Sequence, residues 1–94
     1  MPTRRSKLFK EQIVIKLLIA KPAGDFQIEM EFSDSSTALF DGKSYLATRQ
    51  GPLLDGLRDA AYFNRFFIDA GALCWPNGLE LSAARLHSLA KALA

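Results

Sequence analysis

Few side chains in this chain are equipped for chemistry: one cysteine (Cys74), one histidine (His87) and two closely spaced carboxylates, Glu29 and Glu31. A thiol beside an imidazole makes a nucleophile and its base. Cys74, however, sits in the apolar run Ala72-Leu73-Cys74-Trp75, where a thiol is buried and inert. A single histidine leaves no His-x-x-x-His metal pair, and there is neither a paired-cysteine motif nor a glycine-rich phosphate loop. Glu29 and Glu31 share one face of a strand, as general acid/base pairs do, but an alternating solvated face accounts for them. A last constellation surrounds Trp75-Pro76-Asn77-Gly78. Trp75 is large enough to line a pocket or stack on a ligand, and Asn77, Glu80 and His87 would supply polar contacts there. The competing reading makes Trp75 a core anchor under the terminal helix. No residue is assigned a catalytic, metal or cofactor role, and no cofactor is expected.

Charge adds little to this inventory. The net charge is +2, and four of the twelve cationic side chains (Arg4, Arg5, Lys7, Lys10) fall within the first ten residues. A basic tip attracts phosphate, but terminal segments of this kind are commonly solvated and frayed. The run Tyr62-Phe63-Asn64-Arg65-Phe66-Phe67 mixes aromatics with one cation. Platforms that stack single-stranded bases use several cations on one exposed face. Nucleic-acid binding is therefore expected to be weak. One cysteine excludes an internal disulfide, and no apolar run reaches the about 20 residues of a membrane span. A cytoplasmic protein without a membrane segment is expected.

The elements that must position these residues read as one domain. Residues 1–12 form a flexible basic N-terminus, and 13–94 a single α+β domain. Ile13 to Ala20 is apolar except for Lys16 and rich in β-branched types, a strand covered on much of both faces. Phe26, Ile28, Met30 and Phe32 alternate with Gln27, Glu29 and Glu31, a half-buried antiparallel strand. Thr37 to Phe40 returns as a third strand. Asp41-Gly42 is either a hairpin turn or the entry to a helical turn at Ser44-Tyr45-Leu46. Pro52 opens a short helix whose apolar face is Leu53, Leu54 and Leu57. Phe63 to Asp69 and Ala72 to Trp75 form a second hairpin about Ala70-Gly71. From Ser82 a helix runs towards Leu93, with Leu86, Leu89, Ala90 and Leu93 on one stripe. The expected architecture is an antiparallel sheet of about five strands in two hairpin units, with a short central helix and a C-terminal helix.

A longer pattern runs through these elements. Phe40-Asp41, Ser44-Tyr45-Leu46, the segment Gly51 to Asp59, Phe66-Phe67-Ile68-Asp69 and Trp75-Pro76-Asn77-Gly78-Leu79-Glu80-Leu81 follow in order over roughly residues 13 to 87. This succession resembles the small bacterial family catalogued as domain of unknown function 2442. Its Trp-Pro-Asn-Gly motif is the most specific part. Glu80 stands where the family carries aspartate, and His87 where it carries tyrosine after leucine. The resemblance implies a partner-binding role without established enzymatic activity. Some relatives are joined to a helix-turn-helix domain, and family members often lie beside a gene for another small domain, an arrangement that resembles toxin–antitoxin pairs.

The expectation is a non-enzymatic interaction domain, part of a toxin–antitoxin-like pair. It would bind a protein partner or a second copy through a sheet edge and the apolar margin of the last helix near Leu93. Two other classes compete. One is a nucleic-acid-binding or transcription-regulatory accessory role through the basic N-terminus with Arg65 and Arg85. The other is a small-molecule or enzymatic site around Trp75, Asn77, Glu80 and His87.

Overall fold

A computed structural model describes residues 14–93, with side chains followed to Ala90. The basic segment 1–12 and the side chain of Leu93 lie outside the described residues. The alternation in the second strand is obeyed where the strand is regular. In β2 (Gln27–Phe32), Ile28, Met30 and Phe32 are buried, Glu29 is exposed and Glu31 is half-buried. β2 is the centre of a three-stranded antiparallel sheet between β1 (Leu17–Pro22) and β3 (Thr37–Asp41). Opposing Ile28 with Phe40 and Met30 with Ala38 collects the apolar side chains on one face. Phe26 departs from the expected pattern. It lies in the preceding turn at φ +64° and is half-buried, edge-to-face against Phe63 at 5.3 Å.

The first strand also differs from expectation. It starts at Leu17, and a bulge between Leu17 and Ile19 breaks its register with β2. An extra residue in one strand disrupts the local alternation, so Leu17 is buried while Leu18 and Ile19 are exposed. This strand is covered on one face only.

After β3 the chain turns into a helix. Asp41 caps α1 (Gly42–Ala47), its carboxylate accepting from Ser44 N–H at 3.2 Å and Ser44 Oγ–H at 2.9 Å. Gly42 is required for a close approach, because a Cβ there would stand 2.5 Å from the Phe63 ring and 2.7 Å from the Phe26 carbonyl oxygen. Pro52 opens α2 (Pro52–Asp55), which continues as a single 3₁₀ turn over Gly56–Arg58. Leu54 and Leu57 are buried, but Leu53 is exposed and does not belong to the apolar face. Asp59 then caps α3 (Ala60–Phe63) through Tyr62 N–H. Phe63 is thus the end of a helix, and the expected strand from Phe63 shrinks to β4 (Phe67–Asp69).

A second antiparallel sheet follows in the order β4, β5 (Ala72–Cys74), β6 (Glu80–Leu81). Ala70 and Gly71 take φ of +52° and +81°, the left-handed pair of a tight hairpin. The structure therefore has two three-stranded sheets in place of one sheet of about five. The sixth strand is too short to carry a periodic signal. The sheets meet where Leu17 N–H donates to the Gly71 carbonyl at 2.9 Å. Helix α4 (Ala83–Leu93) is capped by Ser82 Oγ, which accepts from Arg85 N–H at 3.1 Å. Its Ala83 and Leu86 are buried with both sheets in one core that also holds Phe32, Leu57, Leu73 and Trp75.

Candidate functional site

The Trp-Pro-Asn-Gly segment is the loop from β5 to β6, and its polar atoms are spent on structure. Trp75 is 1% exposed, stands 5.8 Å from the Phe63 ring, and donates Nε1–H to the Phe63 carbonyl at 2.8 Å. A buried indole needs such a partner. Proline ends the strand, and Gly78 at φ +96° closes the turn by donating to the Trp75 carbonyl at 3.0 Å. Asn77 bonds in both directions: Nδ2–H donates to the Leu53 carbonyl at 3.0 Å, and Oδ1 accepts from Leu79 N–H at 3.1 Å. It ties the loop to α2. Glu80 is exposed on β6.

His87 is directed elsewhere. Its Nε2 lies 3.1 Å from Asp34 Oδ2 in the β2–β3 turn, and its ring packs edge-on against Phe32 at 5.2 Å. Asp34 also accepts from Ser36 Oγ–H at 2.5 Å and Ser36 N–H at 3.0 Å. The Ser36 hydroxyl and then its amide, with a smaller contribution from His87, hold the Asp34 carboxyl below its ordinary pKa of 3.8. In this Ser–Asp–His series the carboxylate stands between the hydroxyl and the imidazole, so Ser36 donates to Asp34 and the His87 ring does not accept from it. It staples the first hairpin to α4. Trp75, Asn77 and His87 thus bond to three separate places, Phe63, Leu53 and Asp34, and Glu80 is exposed, so the four candidates do not converge on one site.

Cys74 is buried, and burial, aided by Glu80 and Asp69, pushes its thiol pKa up. The thiolate that nucleophilic chemistry needs is disfavoured. Among the described residues no group of His, Cys, Asp and Glu is arranged to hold a metal ion, and no helix is long and apolar enough to cross a membrane.

Two concavities flank α1. The larger, about 530 Å³, lies between Leu46, Gln50, Pro52, Asp55 and Arg58. Arg58 does not offer a free cation to it. Its guanidinium donates to the Leu46 carbonyl at 2.9 Å and the Arg49 carbonyl at 2.8 Å, satisfying acceptors at the end of α1. The smaller, about 200 Å³, is an apolar hollow beside β3, with Phe40, Tyr45 and Leu89 among its lining residues. Arg49 stacks on the Tyr45 ring at 4.2 Å and forms part of the wall. Sequence reasoning passed over Arg58, Arg49 and the hollow. Phe40, Tyr45 and Leu89 are far apart along the chain, so no local spacing marks them.

Comparison with protein families, curated proteins and solved structures finds no match to this chain.

Proposed function

We propose that this chain is a non-enzymatic protein-interaction domain, one half of a pair of the toxin–antitoxin kind, and a member of the domain of unknown function 2442 family. The observation carrying this reading is a contrast. Trp75, Asn77 and His87 are bonded into the scaffold and Cys74 is buried, whereas Leu18, Ile19, Leu39, Leu53 and Phe67 stand 41–55% exposed. Large apolar side chains left in water are the raw material of interfaces. Unpaired backbone groups at a sheet edge add a directional component to such a contact.

The Trp-Pro-Asn-Gly loop supports the family reading in a restricted sense. Trp75 and Asn77 in it have a scaffold role in this chain. The test is capture by the tagged chain from its native host at low salt, followed by titration of each purified candidate. Saturable binding with 1:1 stoichiometry, or saturable self-association, supports the proposal. A chain that binds neither itself nor any purified candidate would sink it.

A further inference from the structure

We infer that β3 pairs with β3 of a second copy of this chain across a two-fold axis, which deepens the interaction-domain reading and rests on it. The two edges of the first sheet are built differently. On β1, the bulge at Leu17–Ile19, the terminal Pro22 and the bond from Leu17 N–H to Gly71 obstruct addition of another strand. Lys21 adds a charge there, and these are the ordinary guards of an edge. β3 carries only one of them, the charge of Asp41, and that carboxylate is turned onto the start of α1. Thr37-Ala38-Leu39-Phe40-Asp41 contains no proline, lysine or bulge, and among the described residues it pairs only with β2.

Each side of that edge offers an apolar group. On the outer face Leu39 is 45% exposed. On the helical side the hollow lined by Phe40, Tyr45 and Leu89 opens beside the same strand. The strand is also complementary to itself. A two-fold axis through Leu39 sets Leu39 against Leu39, Ala38 against Phe40, and Thr37 against Asp41. At each end Thr37 stands opposite Asp41, whose carboxylate caps α1, and no like charges face across the seam. Glu29 lies one strand back, opposite Leu39 in its own sheet and opposite Lys21 on the far side. The product is a six-stranded sheet in the order β1-β2-β3-β3-β2-β1. Its outer edges are the guarded β1 strands, so assembly stops at two.

A contact of one five-residue strand and an adjoining hollow falls below the roughly 1,200 Å² of a standard interface, which puts it in the weak class. Sedimentation equilibrium is therefore run from about 10 to 500 μM, spanning a micromolar dissociation constant. The expected mass at the upper end is twice the 10.4 kDa of the chain. Leu39→Lys places two ammonium groups face to face and should weaken association at least tenfold. Leu53→Lys, at an equally exposed leucine on α2, should leave it unchanged. Leu39→Cys should form an intermolecular disulfide under oxidised glutathione, while Lys21→Cys on the guarded edge should not.

A wild type that is monomeric throughout, with no Leu39→Cys cross-link, overturns the pairing. So does a dimer that ignores Leu39→Lys. In either case saturable binding of a purified foreign partner would leave the interaction-domain reading standing, so the two failures are distinguishable.

Discussion

At the scale of single residues, the polar side chains near the sequence motifs act as fasteners. Trp75 combines full burial with one hydrogen bond, so Trp75→Ala should lower stability by about 3–5 kcal/mol. Trp75→Phe keeps most of the volume and loses the bond to Phe63. Its cost should be clearly smaller, and urea midpoints of the two variants check the order. Asp34 gives a pH-dependent fastener. Its folded pKa is lowered, so its contribution is present above the ordinary value of 3.8 and is lost as pH falls through the lowered folded value. Asp34→Asn should be less stable than wild type at pH 7, and the gap should close in strongly acidic solution. Equal gaps at both pH values would show that the Ser36 and His87 contacts do not favour the carboxylate.

At the scale of elements, α1 is held at both ends by residues distant from each other in sequence. Asp41 caps its start, and Arg58 takes up the Leu46 carbonyl near its end. Gly42 admits the Phe63 ring against the first turn. Gly→Ala in an ordinary helix gains about 1 kcal/mol, but here the new methyl would force Phe63 and the Phe26 carbonyl apart. Overpacking of this kind costs about 1–3 kcal/mol. Gly42→Ala should therefore destabilise the protein in a thermal melt, and a raised melting temperature would show that Phe63 moves aside freely. Helix α4 offers a simpler case: Ser82→Ala removes the acceptor for Arg85 N–H and should cost about 0.5–2 kcal/mol by urea denaturation.

For the whole molecule, two small sheets share one core. Ile28 and Phe32 from the first sheet, Leu73 and Leu81 from the second, and Leu86 from α4 belong to the same buried cluster. The apolar faces of both sheets enter this one cluster together with the helices. Urea unfolding followed by Trp75 fluorescence, which reports the second sheet, should therefore coincide with unfolding followed by far-ultraviolet circular dichroism. Separate transitions would show that the sheets are independent units.

Local chemistry made several parts of this architecture legible from the chain alone. The alternation of β2 follows from a period of two, the Ala70-Gly71 hairpin from a left-handed turn, and the last helix from its leucine stripe and Ser82 cap. Pro52 marks a helix start because a first-turn proline acts locally, whereas Asp41-Gly42 by itself fits a hairpin turn as well as a helical one. The tertiary structure alone decided what depends on distant neighbours. The bulge exposed Leu18 and Ile19, the two-residue β6 formed only because β5 was there to pair with it, and Phe63 became the end of a helix. Leu53 turned outward although its neighbours Leu54 and Leu57 are buried. The hollow beside β3 brings Phe40 and Tyr45 to Leu89, more than forty residues away. Periodicity reports which face of an element is apolar, whereas packing determines which part of that face is covered.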